Sequence, residues 1–376
     1  MKSKIFVFLF LLISTNLCFA QSGTLNVDFS SENWKTFGAA AVQEFESEVS
    51  TSVSDGVGIA YLDGVNFQNG VIECDLYSPS PKAYLGIAFR IGSLTNFECI
   101  YFQPHTSGKR DAVQYDPIFN MSATWQLYNG ESYQAVADIP TKKWFHVKIE
   151  LKGDFAKVYL HNNPVEALTV KLKHDLHPGN VGVYSYHPAI FKNLKITKSG
   201  LMDTFIEQPE TSSINETYIS SWLISEPYDN YDFKIEKPFL NDNLITGFRE
   251  IETEENYLMN LNRHFTKSKA KNTVLAKVYL NSNKAQTKNF HFGYSDRIKV
   301  YLNSNEVFRG ENDFRDSENY EDRGYVSDKQ ETIELPLLKG ENELLLEIAE
   351  EKFGWGFIAR FEDLEGIEIK KPNRDK

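Results

Sequence analysis

Cysteine is scarce in this chain: 3 residues in 376, at positions 18, 74 and 99, with no Cys-x-x-Cys pair and no dense histidine cluster. That spacing excludes a disulfide-built scaffold and gives no indication of a zinc site. Long apolar runs are also missing. The run Ile5 to Ile13 has nine residues, and no later segment approaches the roughly 20 that a spanning helix needs. No membrane span is therefore expected. Positive charge is short as well, with 40 Lys+Arg against 52 Asp+Glu and a formal net charge of −12. Such a surface repels phosphate backbones, and no basic cluster interleaved with aromatics offsets it, so nucleic acid is excluded as a partner. Gly-x-Ser-x-Gly and glycine-rich phosphate loops are absent, which leaves those enzyme classes without a motif.

What the chain does have is an export-like start. Lys2 and Lys4 precede the apolar run, and Cys18-Phe19-Ala20 places small residues at the −3 and −1 positions of a cleavage site. Residues 1–20 are expected to be a signal peptide, with the protein periplasmic or extracellular. Leu17 is not the small residue that a lipoprotein site wants. The chain from Gln21 onward is long enough for two domains.

Aromatic residues are abundant: 27 Phe, 19 Tyr and 5 Trp. They fall in short β-type runs. Examples are Gly70–Tyr77, Tyr84–Arg90, Phe97–Phe102, Trp144–Leu151 and Ala156–Leu160. Runs of five to eight residues rich in Val, Ile, Tyr and Phe, separated by turn residues, indicate a sandwich or barrel. No stretch sustains an apolar 3.6-residue repeat. Residues 198–217 lose the alternation and read as a linker between domains at 21–197 and 218–370, with a charged tail at 371–376. The second half repeats the strand pattern, with hairpin turns expected at Asn303-Ser304-Asn305 and Lys339-Gly340-Glu341-Asn342. The stretch 241–268 reads as a loop or one short helix. The fold class is all-β, two β-sandwich or jelly-roll domains in tandem. If the strands carrying Cys74 and Cys99 flank a third in a meander, the thiols stand about 9.6 Å apart, twice the interstrand spacing, beyond disulfide reach. Two buried free thiols are the favoured expectation.

Phe67-Gln68-Asn69-Gly70-Val71-Ile72-Glu73-Cys74-Asp75-Leu76, Leu85-Gly86-Ile87-Ala88-Phe89-Arg90, Tyr101-Phe102-Gln103-Pro104-His105 and Phe191-Lys192-Asn193-Leu194-Lys195 together resemble concanavalin A-like lectin/glucanase domains. The resemblance extends to laminin-G-type modules and to 3-keto-disaccharide hydrolase-like domains, and covers about 24–197. Tyr294 to Asn303, Leu338 to Leu344 and Gly354 to Phe357 are similar to galactose-binding-like jelly rolls. The resemblance implies a fold for the first domain that hosts lectins, glycosidases, lyases and spacers alike, and an accessory or scaffolding role for the second. These families often hold a structural calcium, to which Asp313 and Asp316 can offer oxygens, but no loop signature demands one and no cofactor is expected.

A retaining glucanase needs two carboxylates about 5–5.5 Å apart. The best strand is Glu73-Cys74-Asp75-Leu76-Tyr77, whose next same-face position is Tyr77 where a second catalytic Glu is required. Glu73 and Asp75 read as a solvated sheet face, and no catalytic residue is assigned. His161, His174, His177 and His187 read as surface histidines. Sugar recognition wants flat rings, planar amides and Arg, and 90–133 supplies these. The candidate ligand residues are Arg90, Tyr101, Gln103, His105, Gln114, Tyr115 and Trp125, with 104–132 expected as a long excursion over one sheet. The leading expectation is an oligo- or polysaccharide-interacting protein without its own acid pair. A glycoside-processing hydrolase of the 3-keto-glycoside or glucanase type, and a ligand-free spacer, are the alternatives.

Overall fold

The computed structural model describes residues 23–27, 29, 32–45, 48–199, 215–241, 244–245, 247–315 and 323–370. The expected signal peptide, most of the expected linker and the charged tail lie outside them. Among the described residues there are strands and three short 3-10 turns, and no α-helix.

In the first sandwich the back layer shows the alternation that a half-exposed sheet requires. Gly70–Tyr77 and Phe145–Lys152 are each buried at every second residue. Ile72, Cys74, Leu76, Val147, Ile149 and Leu151 point into the main core, and Glu73, Asp75, His146, Lys148 and Glu150 point out. The front layer differs. Its strands run in the order Val113–Tyr115, Asn96–Phe102, Tyr84–Ser93, Gly179–Tyr186, Glu48–Phe67 and Trp34–Phe45. Tyr84–Ser93 and Asn96–Phe102 are buried almost continuously. Leu85, Ile87, Phe89, Ile100 and Phe102 face the main core. Ile59, Ala88, Cys99 and Ile118 form a small second core on the outer face. A sheet buried on both faces has something lying over it, and here Ile118 of the 104–135 segment packs on Ile59, Ala88 and Cys99.

That segment is no free excursion. It contains the strands Val113–Tyr115, Ile118–Phe119, Ser122–Ala123 and Gln134–Ala135, because its backbone groups, once buried, must pair. The meander around the cysteines is also corrected. Between Gly70–Tyr77 and Tyr84–Ser93 lie Ala189–Lys198, Glu48–Phe67 and Gly179–Tyr186. Cys74 sits in the main core and Cys99 on the outer face of the front layer. Both are buried free thiols, pushed up in pKa by burial.

The second sandwich packs a sheet ordered Phe248–Glu252, Ser221–Ser225, Thr273–Ser282, Gly340–Ala349, Arg297–Leu302 and Asn305–Glu311 on a four-stranded sheet of Met259–Asn260, Gly356–Phe361, Gln286–Ser295 and Glu331–Leu337. Trp222, Phe290, Phe292, Trp355 and Phe357 fill the space between. Asn303 and Ser304, at φ 50° and 65°, form the hairpin turn expected from their sequence. The stretch 241–268 holds the strands Phe248–Glu252 and Met259–Asn260 and a 3-10 turn, Leu261–Arg263, instead of a helix.

Candidate functional site: an aromatic cleft between the sandwiches

Strand register decides which rings meet. Across the front layer Tyr101 pairs with Gly86, Gly86 with Tyr184, and Tyr184 with Ile59. In the neighbouring row Tyr84 pairs with Tyr186 and Tyr186 with Val57. Paired residues share a sheet face, so these tyrosines rise together from the outer face. Tyr84 and Tyr101 stand edge to face at 5.6 Å, and Tyr84 and Tyr186 lie at 6.0 Å. Gly86 keeps the floor low, since a Cβ there would meet Cys99 Sγ at 3.1 Å and Tyr101 Cβ at 3.3 Å.

Opposite the tyrosines stands Trp125, ringed by Phe314, Tyr325 and Phe353 of the second sandwich with centroids at 5.6, 5.5 and 5.5 Å. Tyrosine floor and aromatic wall enclose a cleft of about 450 Å³ that is also lined by Lys82, His187, Arg323 and Lys352. The wall is fixed by hydrogen bonds between the sandwiches. Gln126 Nε2 donates to Arg323 O at 3.0 Å, Gly354 N donates to Gln126 Oε1 at 3.1 Å, and Gln134 Nε2 donates to Tyr325 Oη at 2.9 Å.

Two polar groups at the cleft floor are buried. Gln103 is 2% exposed; its Nε2 donates to Asp111 O at 2.5 Å, while its Oε1 has no hydrogen-bond partner among the described residues. Asp116 is 1% exposed and accepts from Thr124 N at 2.7 Å. Burial outweighs that bond and pushes its carboxyl up to about 7. It is the one carboxylate lining the cleft among the described residues. Burial also lifts the Tyr101 and Tyr184 phenols well above their usual range, so both stay neutral donors. In the lining, His187 Nε2 is likewise buried and unpartnered among the described residues.

Of the residues expected from sequence, the structure brings Tyr101, Gln103 and Trp125 into this cleft. His105 stands one ring behind, its imidazole 4.9 Å from Tyr84. The other three are placed elsewhere. Arg90 is wholly buried; a strand irregularity at φ 49° turns it inward, where it donates to Gln68 O at 2.9 Å and Gly153 O at 2.6 Å. Tyr115 points into the core, donating to Glu98 Oε2 at 2.6 Å. Gln114 is consumed by backbone, donating to Tyr115 O and Tyr128 O. Sequence reading missed Tyr84, Tyr186, Asp116 and every residue of the second sandwich. The period-two pair Tyr184–Ser185–Tyr186 was the available signal for the floor; nothing local marked the wall.

Glu73 and Asp75 lie on the opposite, outer face of the back layer. Lys195 Nζ donates to Glu73 Oε2 at 2.7 Å, and His146 Nδ1 stands 2.7 Å from Asp75 Oδ1. Asp313 is engaged by Arg297 at 3.2 Å, and Asp316 lies outside the described residues. No cluster of three metal-ligating side chains exists among the described residues. His174 is no surface histidine: its ring stacks on Phe119 at 4.0 Å, and burial draws its pKa down to about 4.

A second cavity, about 630 Å³, opens between the sandwiches on the Lys173 side. Two ion pairs cross it: Lys173 Nζ donates to Glu255 Oε1 at 2.7 Å and Arg263 Nε to Glu254 Oε1 at 2.7 Å. It offers no aromatic platform beyond two histidines, and it braces the interface.

No family model matches this chain, and no curated protein does. Solved structures do. One is a carbohydrate-binding module, CBM66, from Bacillus subtilis, at 18% identity, covering 44% of this chain and 95% of that one, TM-score 0.36. A protein of unknown function with a galectin-like fold from Bacillus subtilis matches at 9% identity over 46% and 93%, TM-score 0.37. A Bacillus licheniformis β-glucanase matches at 10% identity over 47% and 98%, TM-score 0.34.

Proposed function

We propose that this protein binds a saccharide in the cleft between its two sandwiches. The observation that carries the reading is the pairing of a tyrosine floor with a buried amide oxygen, Gln103 Oε1, that has no partner among the described residues. Ring faces suit the C–H-rich surface of a sugar, and a buried acceptor suits its hydroxyls. A glycan array with the parent and Tyr186→Ala tests it. Binding to a defined glycan in the parent, weakened about tenfold or more in the variant, supports the reading; a parent that binds no glycan overturns it. Export through residues 1–20, and a role accessory to glycan breakdown, belong to the same proposal.

One observation favours a second reading. Asp116, with its carboxyl at about 7, is suited to give or take a proton near neutrality. A hydrolase would use it as acid or base, and glycosidase chemistry ordinarily asks for a second carboxylate. Product analysis on array hits, repeated with Asp116→Asn, separates the two: cleavage lost in the variant means an enzyme, and binding without cleavage in both means a binder.

A further inference from the structure

The cleft is not an open trough. On the Asn96–Phe102 side it stops against Trp125, Phe314, Tyr325 and Phe353, and the ion pair from Arg323 Nη1 to Asp111 Oδ2, at 3.0 Å, stands behind that stop. On the other side the same sheet face continues outward. Register carries the row from Tyr184 through Ile59 to Phe37. Exposure rises along the neighbouring row, where Tyr186 is 42% and Val57 49% exposed against 5% for Tyr101 at the closed end; in the first row Ile59 is buried at 4% and Phe37 beyond it is 55% exposed. From the Tyr101 strand to the Phe37 strand there are four interstrand spacings, about 19 Å.

From this asymmetry we infer that the cleft recognises the terminus of a linear saccharide chain, with the last ring against the Trp125 wall and the following rings laid across the strands toward Phe37. The inference rests on the saccharide reading above and names the part of the ligand that the site takes. An internal segment must leave a site at both ends. Here a chain leaving past Trp125 would have to pass through rings in van der Waals contact and through hydrogen bonds that tie the two sandwiches. The buried polar groups, Gln103 Oε1 and the Asp116 carboxyl, lie at this closed end. That is where a terminal ring presents the hydroxyl that an internal ring has spent on its next linkage. The open end offers partly exposed rings and aliphatic surface, which suits repeated sugar faces without reading each one.

Stoichiometry tests it. The full chain is titrated calorimetrically against linear glucans, mannans, xylans and galactans, each as a short fraction and one about ten times longer. If the site takes chain ends, protein bound per polymer molecule stays near one as length increases, and affinity per end is unchanged. A stoichiometry that grows in proportion to length overturns the inference and leaves saccharide binding standing. Failure to bind any member of this panel or any arrayed glycan overturns both. As a second arm, an oligosaccharide of the bound linkage is blocked at one end or the other. Blocking one end should weaken binding at least tenfold and blocking the other should not; equal binding by both blocked forms overturns the inference.

Discussion

Arg323, in the second sandwich, closes on the fully buried carboxylate of Asp111 in the first, Nη1 to Oδ2 at 3.0 Å, with the arginine itself 11% exposed. The pair joins the two halves immediately behind the cleft wall. Asp111→Asn keeps the shape and removes the charge. Breaking one partner of a buried pair typically costs about 3–5 kcal/mol. The expected outcome is a lower melting temperature together with weaker ligand binding, read by calorimetry and titration. A variant as stable as the parent would show that the pair does not hold the wall.

Tyr186 and Trp125 should respond differently to alanine. Tyr186 is 42% exposed, so its loss should leave stability within about 1 kcal/mol while reducing affinity about tenfold. Trp125, 9% exposed and held by three rings, should lose about 3–5 kcal/mol on truncation as well as the ligand. Denaturant curves run beside titrations distinguish them.

Arg90→Met should be a folding lesion without a binding phenotype. Its guanidinium satisfies Gln68 O and Gly153 O in the interior, and each orphaned buried acceptor costs about 1–3 kcal/mol. The folded fraction should retain the parent's affinity; selective loss of affinity at unchanged stability would place Arg90 in the site after all.

Two of the shifted groups, Asp116 and His174, act on stability in opposite directions as pH changes. Asp116 titrates at about 7 against an ordinary 3.8, so the folded state holds its proton more tightly than the unfolded one. Its contribution is full below about pH 4 and is lost as pH rises to about 7, by an amount on the order of 4 kcal/mol at most. His174 is the reverse. Lowered from 6.5 to about 4, it supports the fold above pH 6.5, and that support is lost as pH falls toward 4. Asp116→Asn should flatten the alkaline-side fall, gaining stability on the parent at pH 8 relative to pH 4. An unchanged stability–pH profile in the variant would exclude Asp116 as the titrating group.

The alternation in Gly70–Tyr77 and Phe145–Lys152 was enough to identify half-buried strands, and Asn303-Ser304 to identify a turn, because both signals lie within a few neighbouring residues. Tyr101, Gln103 and Trp125, named on chemistry alone, line the cleft. Arg90, Gln114 and Tyr115 have the same chemistry and serve the interior instead. Nothing within the run that contains them distinguishes the two fates, since a one-residue irregularity in a strand reverses the face of every side chain beyond it.

The all-β class, the acidic composition and the aromatic supply follow from the order of residues alone, because composition and short-range period carry those properties. That Tyr84, Tyr101 and Tyr184 share one face, and that Phe314, Tyr325 and Phe353, some 190 to 230 positions further along than Trp125, close around it, emerges from the folded chain as a whole. Strand order and the docking of one sandwich on the other are set by burial summed over many distant contacts, and no local pattern records that sum.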